Sequence, residues 1–285
     1  MAGALWMLVA SLLFACMGVF VKLGGAHFST SELVFYRSFI GLLFVAAVMH
    51  HRRTPLATPH WRGHLWRGLS GTIAMMLYFY CIATLPLATA ITLNYTSSLF
   101  LTALTLIVFK DRFHLPLTAS LALGFVGVVL LLHPTLGREQ FISGLLGLLS
   151  GFLAGVALLN VRQLGQLGEP AVRVVFYFNL VATLFSGIWM AQGEAHSLAP
   201  GDLALLLGLG ASATFAQIAM THAYRIGQTQ VVSTLSYSTI VFASLFGLLL
   251  WGELLSPGAW LGIALIIASG MLSLRLAPIH TEAGK

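Results

Sequence analysis

The sequence predicts an all-α integral membrane protein, with ten transmembrane helices arranged as two inverted five-helix repeats. Three observations predict it. Apolar residues make up 58% of the chain and charged residues only 8%, against about 25% charged in an ordinary soluble domain. Too few charges remain to keep a water-facing surface wet, whereas hydrocarbon asks for none. The apolar residues gather into ten runs near the ~20 residues that a helix rising ~1.5 Å per residue needs to cross ~30 Å of hydrocarbon. The second half of the chain also echoes the first at a nearly constant offset.

The first run, 3–22, has no Lys or Arg ahead of it. It therefore lacks the charged leader of a signal peptide and reads as a retained helix, despite a faint lipoprotein-like Leu13-Phe14-Ala15-Cys16. The second, 31–49, carries Arg37 six residues in, about 9 Å below its end. The third and fourth, 66–84 and 87–109, are separated by Leu85-Pro86 alone. They form a tight hairpin, as do the eighth and ninth, 201–223 and 229–251. The fifth, 115–132, stops before His133-Pro134. The sixth, 141–161, bears Gly147, Gly151 and Gly155, a four-residue stripe that permits close backbone approach. The seventh, 170–190, follows Gly168-Glu169-Pro170, and the tenth, 257–275, follows Ser256-Pro257-Gly258. Proline at a helix start costs no hydrogen bond. Cys16 and Cys81 lie inside runs and behave as small hydrophobes.

Positive charge sets orientation. With the N-terminus in the cytoplasm, the inner segments hold Arg52, Arg53, Arg62, Arg67, Lys110, Arg112, Arg162, Arg173, Arg225, Arg275 and Lys285. The outer segments hold Lys22 and Arg138, and Arg37 is within a span. Both termini are therefore expected in the cytoplasm, at the cell (inner) membrane. The basic stretch 50–67 suits anionic inner-leaflet lipid. Because Lys and Arg are spread over separate loops, a nucleic-acid partner is not expected.

At an offset of 141, Gly3 meets Gly144, Leu23-Gly24 meets Leu164-Gly165, Phe35-Tyr36 meets Phe176-Tyr177 and Met49 meets Met190. At 142, Tyr95 meets Tyr237, Phe100 meets Phe242 and Asp111 meets Glu253. The repeats are then residues 1–136 and 137–285. Five is odd, so the second unit inserts upside down. Inverted repeats about an axis in the membrane plane are a secondary-transporter architecture, with the substrate held near the midplane.

Residues 83–112, with Leu-Asn-Tyr-Thr-Ser-Ser-Leu-Phe at their centre, and 223–253, with Leu-Ser-Tyr-Ser-Thr-Ile-Val-Phe-Ala and a closing Leu-Trp-Gly-Glu, resemble the two halves of an EamA-type permease of the drug/metabolite transporter superfamily. Arg37 also resembles a residue common in that pattern, and the likeness covers essentially the whole chain. The resemblance implies ten helices and a central cavity lined mainly by the first, third, fourth, sixth, eighth and ninth. It implies transport of small metabolites, often amino-acid efflux. The chain departs from it at Ser98, where the family often has proline, which puts a kinked fourth helix in doubt. It departs again at Asp111, where the family usually has Glu.

The candidate substrate site is the polar midplane cluster. In helix four it comprises Asn94, Tyr95 and Ser98; in helix nine, Ser233 and Tyr237; Tyr78 and Gln217 add pocket positions. Hydroxyls, an amide and aromatic rings suit an amphipathic zwitterion. The competing reading is that the same groups bond between packed helices or back to their own backbone. Gating or coupling roles fall to Arg37, a charge costly at that depth, to His222, a histidine within a span, and to Glu253. Arg37 equally suits snorkelling to the interface, and His222 a plain interfacial hydrogen bond.

His60 and His64 have helical metal-ligand spacing, but no Cys or carboxylate joins them in sequence, so no metal is expected. With no Walker-type loop, no His-Glu-x-x-His and no paired intramembrane carboxylates, the chain is expected not to be an enzyme and to need no cofactor. The expected function is alternating-access export of hydrophobic or aromatic amino acids. One alternative is uptake of a nucleoside-like cofactor such as S-adenosylmethionine, against which the missing mid-depth carboxylate argues. A membrane enzyme or scaffold is the alternative of another class.

Overall fold

The computed structural model of the chain describes residues 2–108, 115–132, 138–192, 196, 198, 200–226 and 235–276. Eleven helices run through them: α1 (Ala2–Gly24), α2 (Thr30–His51), α3 (Trp61–Thr84), α4 (Leu87–Tyr95), α5 (Ser97–Val108), α6 (Leu115–Leu132), α7 (Arg138–Gln166), α8 (Ala171–Ala191), α9 (Pro200–Ile226), α10 (Ser238–Trp251) and α11 (Pro257–Leu276). No strand occurs among the described residues. Helices are what such apolar runs must form, because hydrocarbon offers the backbone no partner and every N–H and C=O must pair within the segment.

Five stretches are long and apolar enough by themselves to cross a membrane: Gly3–Gly24, Thr30–His51, Gln140–Gln166, Ala171–Ala191 and Gly201–Met220. Their outward faces carry large apolar side chains such as Leu43, Ile188 and Leu203, each more than half exposed. In water that belt would aggregate, whereas in lipid it is the solvated surface.

α2 starts with a reciprocal cap: the Ser29 hydroxyl accepts the Glu32 N–H and the Glu32 carboxylate accepts the Ser29 N–H. This satisfies two orphan donors at one terminus. Several buried hydroxyls along the spans donate to the carbonyl four residues back, as in Thr72 to Gly68, Thr92 to Ala88 and Ser186 to Ala182.

α1 packs against α9, α3 against α7, α2 against α8 and α6 against α11. Polar ties identify the two faces of the bundle. The Glu169 carboxylate of the α7–α8 connection receives Thr58 of the α2–α3 connection and Arg173 at 2.9 Å, and Arg173 also donates to the Pro55 carbonyl at 2.9 Å. Arg52, Arg53 and Arg62 share this arginine-rich face. On the opposite face, Glu32 binds the backbone and ring of His196 at 2.9 and 3.0 Å, and Lys22 pairs with Glu253.

The main apolar core is concentrated toward that opposite face. It gathers Met17 and Val21 of α1, Leu33 of α2, Phe79 and Ile82 of α3, Leu87 and Ile91 of α4, Leu206 and Leu209 of α9, and Ile240 of α10. Toward the arginine-rich face the described residues form only a small cluster of Met7, Ala10, Ala219 and Ala223.

The fourth span departs from the sequence expectation. The absence of proline put a kink in doubt, yet the span divides into α4 and α5 at Thr96 (φ −62°, ψ −12°), whose N–H reaches back to Leu93 and Asn94 carbonyls. A matching interruption sits at Tyr237 (φ −65°, ψ −14°) before α10. On the first side the interruption lies under a close helix contact. A Cβ at Gly151 of α7 would meet the Thr96 hydroxyl, and would lie 2.6 Å from the Leu93 carbonyl. Cβ atoms at Gly147 and Gly155 would meet Leu93 and the Ser97 carbonyl in turn. The glycine stripe therefore seats α7 on the interrupted backbone. Gly151→Ala is expected to destabilise the protein by about 1–3 kcal/mol, because Leu93 O belongs to backbone that cannot swing aside. The thermal midpoint of the purified variant reports it, and an unchanged midpoint would contradict the close approach.

Candidate functional site

The predicted site residues occupy three places. Tyr95 and Tyr237, at the two interruptions, are brought together with ring centroids 5.8 Å apart. The Tyr95 hydroxyl lies 2.8 Å from that of Thr239, which donates to the Ser236 carbonyl at 2.8 Å. Tyr78 packs against the same core cluster. Asn94 turns the other way: its amide donates to Ser150 Oγ at 3.2 Å, and Ser150 donates to the Ala74 carbonyl at 2.8 Å. This is the helix-to-helix bonding weighed as the alternative. Ser233 lies outside the described residues, as does the side chain of Ser98.

Arg37, Gln217 and His222 meet elsewhere, in a cavity of about 420 Å³ between α2, α3, α8 and α9. It runs from Arg52, Ala171 and His222 at the arginine-rich face to Arg37 and Gly41. Arg37 and Arg52 are 15 positions apart on α2, or about 22 Å. His222 stands edge-on to Trp6, with ring centroids 5.0 Å apart.

Phe178 of α8 forms part of the cavity wall and is faced by two guanidinium groups, Arg67 at 3.9 Å and Arg37 at 5.7 Å from its ring centroid. Arg67, Phe178 and Asn179 were missed from sequence. Arg67 was counted as a loop charge because α3 was expected to start at 66, whereas it begins at Trp61. Nothing in the apolar run of α8 distinguishes Phe178 from a lipid-facing ring.

Glu253 sits at the opposite mouth. Its carboxylate pairs with Lys22 and accepts the Leu87 N–H at 2.8 Å. Pro86, the residue before α4, offers no side-chain cap, so an anion 166 residues away in sequence caps that helix. Lys22 also donates to the Leu85 carbonyl at 3.0 Å and stands over Trp251. Asp111, which the repeat aligns with Glu253, lies outside the described residues.

His64 departs from the sequence reading that left it without a carboxylate. Its Nε2 lies 3.2 Å from Glu169 Oε2, because the α7–α8 connection folds over the start of α3. Burial acts to raise the Glu169 carboxyl, but bonding from Thr58, Arg173 and His64 outweighs it and holds the group below the usual carboxylate range. Burial pushes His64 down, against the opposing pull of Glu169. Both groups bind fewer protons folded than unfolded, so this clamp contributes stability at neutral pH that is lost on acidification. The loss begins below the ordinary histidine value of ~6.5 and continues through the carboxylate range near ~4.3. Thermal midpoints measured from pH 8 to pH 4 are expected to fall, and Glu169→Gln to flatten the lower part of the curve. An unaltered acid profile in that variant would assign the sensitivity to other groups.

A family model described as EamA-like transporter family matches residues 1–133 and 142–275. The chain belongs to the EamA-like transporter family. This transporter is 30% identical over 271 residues to the pseudopaline exporter CntI of Pseudomonas aeruginosa, spanning 95% of this chain and 93% of that protein. It is 27% identical to a riboflavin transporter of Vibrio cholerae, covering 94% and 91%. To an S-adenosylmethionine uptake transporter of Rickettsia prowazekii it is 21% identical, covering 93% and 90%. A crystal structure 19% identical in sequence superposes with a TM-score of 0.67 over 99% of both chains, which shows the shared fold. The transporter is a multi-pass membrane protein whose family moves small molecules, and it is not an enzyme.

Proposed function

We propose that this transporter works by alternating access and exports small amphipathic metabolites, hydrophobic or aromatic amino acids among them, from the arginine-rich face. The observation that carries the reading is one-sidedness. The cavity reaches the arginine-rich face, while the core and the Lys22–Glu253–Leu87 tie close the opposite one. A carrier caught open to one side has this form, and a channel would need both mouths open at once.

Ten spans in two inverted repeats, 1–136 and 137–285, supply the means. The interruptions at Thr96 and Tyr237 are 141 residues apart, within one residue of the offset of 142 that aligns Tyr95 with Tyr237. The pairing of α1 with α9 and of α3 with α7 is what exchange of two related units produces. Such units can trade shapes, giving two states of similar energy that ligand binding biases. Charge asymmetry favours an orientation with the arginine-rich face and both termini in the cytoplasm, where exposed Arg52, Arg53 and Arg62 suit anionic lipid. The tyrosine pair and the cavity together form the substrate path. Uptake of a cationic cofactor is the less favoured reading, since no Asp or Glu lines the cavity among the described residues.

Proteoliposomes loaded with unlabelled phenylalanine test the transport reading through counterflow of radiolabelled phenylalanine. Saturable, competable accumulation is expected. Its absence, for phenylalanine and for a mixture of apolar amino acids in vesicles of verified folded protein, would remove the amino-acid reading.

A further inference from the structure

The cavity wall carries an electrostatic imbalance that the transport reading does not explain. Arg37 and Arg67 converge on Phe178 from α2 and α3. In each, Nε and Nη1 are buried and bond no acceptor among the described residues. The nearby carboxylates are engaged elsewhere, Glu32 by His196 and Ser29, and Glu169 by Arg173, His64 and Thr58. The remaining charged and polar lining is Arg52, Asn179, Thr214, Gln217 and His222, and no Asp or Glu lines the cavity among the described residues.

Two like charges held together in a low-dielectric site repel each other and lose hydration, so an anion entering between them is favoured. A planar guanidinium presents its donors as a fork that fits carboxylate or phosphate oxygens. The rest of the wall is apolar, with Phe44, Val45, Val48 and Ala213, and would take a hydrocarbon or aromatic body.

We propose that Arg37 and Arg67 form the subsite for the acidic head of the transported molecule, making the preferred substrate a net-anionic organic acid with an apolar body. This rests on the transport reading and deepens it. A zwitterion satisfies the arginines through its carboxylate but brings an ammonium into a cavity with no carboxylate to receive it. A cation satisfies nothing.

The test uses three probes with one phenylethyl skeleton: 3-phenylpropionate (anion), phenylalanine (zwitterion) and 2-phenylethylamine (cation). Thermal midpoints and binding curves are read on the full-length protein in phosphatidylcholine nanodiscs. The anion is expected to bind and stabilise best, phenylalanine more weakly, and the amine not at all. Arg37→Gln and Arg67→Gln should each weaken 3-phenylpropionate binding about 10–100-fold, without lowering the midpoint of the ligand-free protein, since each removes an uncompensated buried charge. Arg67→Lys should restore part of the affinity, keeping the charge and losing the fork.

The inference is overturned if the amine or phenylalanine binds as well as the anion, if no probe binds, or if the Gln variants bind normally. Gln variants that unfold earlier when ligand-free assign the arginines to structure, which also overturns it. Repeating the series with one-fifth phosphatidylglycerol separates a second source of the same chemistry. Arg-dependent stabilisation by that lipid alone would make the ligand a lipid headgroup and overturn the substrate assignment. Phenylalanine counterflow in the same variants keeps the two readings apart: flux with no charge preference sinks the inference and leaves the transporter reading standing.

Discussion

Replacing Glu253 by alanine is expected to open the face opposite the cavity. The Glu253 carboxylate meets Lys22, with the two side chains only 16% and 13% exposed, and it also accepts the Leu87 N–H at the start of α4. Removing it strands a largely buried ammonium and uncaps a helix at once. Breaking one partner of a buried pair costs about 3–5 kcal/mol, or roughly a 10²–10³-fold shift between two states, since ~1.4 kcal/mol is tenfold. A cysteine at Leu85, which is 1% exposed beside this tie, reads the shift. Maleimide labelling of Leu85→Cys should accelerate about 100-fold or more when Glu253→Ala is added. An unchanged labelling rate would deny Glu253 any closing role. Lys22→Ala should do less, because the carboxylate still caps α4. The double change Lys22→Met with Glu253→Met should fall between, since an apolar pair leaves no stranded charge.

Replacing Tyr95 by alanine is expected to cut transport about 10–100-fold while the protein remains folded in the membrane. Tyr95 ends α4 at the interruption, faces Tyr237 at 5.8 Å and bonds Thr239 at 2.8 Å. An aromatic pair contributes about 0.5–1.5 kcal/mol beyond the burial of its area, and burial of such a side chain adds about 1.5–3 kcal/mol. The ring also joins the two halves of the chain at their matching breaks. Tyr95→Phe keeps the ring and loses only the hydroxyl, so it should retain most of the flux. Tyr237 is itself 4% exposed, so Tyr237→Ala should lower both flux and thermal midpoint. Counterflow with matched protein amounts checks both variants, and normal flux in Tyr95→Ala and Tyr237→Ala would remove the tyrosine pair from the substrate path.

The membrane setting was legible because it rests on composition and period, and the family because the motifs within residues 83–112 and 223–253 resemble its two halves. A chain that is 58% apolar and 8% charged leaves no soluble solution, and helices of fitting length follow from bilayer thickness. Tyr95 and Tyr237 were legible as a pair because the echo between the two halves of the sequence aligns them at an offset of 142. Arg67 was not, since its depth depended on α3 beginning at Trp61 and its meaning on Arg37 and Phe178 arriving beside it. Asn94 illustrates the opposite case. Its residue type suits a pocket, and the fold spends it on Ser150 of α7.

What the sequence alone determined, then, is that this is a multi-pass helical membrane protein, because hydrocarbon acts on every residue independently of its neighbours. What only tertiary structure decided is which charges meet. Glu169 with His64, Glu253 with Lys22 and the α4 terminus, and Arg37 with Arg67 over one ring are all contacts between different segments of the chain. The physical reason is the range of the forces. Partition into lipid is a one-body property that each residue carries with it, whereas pairing or stranding a buried charge is a two-body property that exists only once helices have packed.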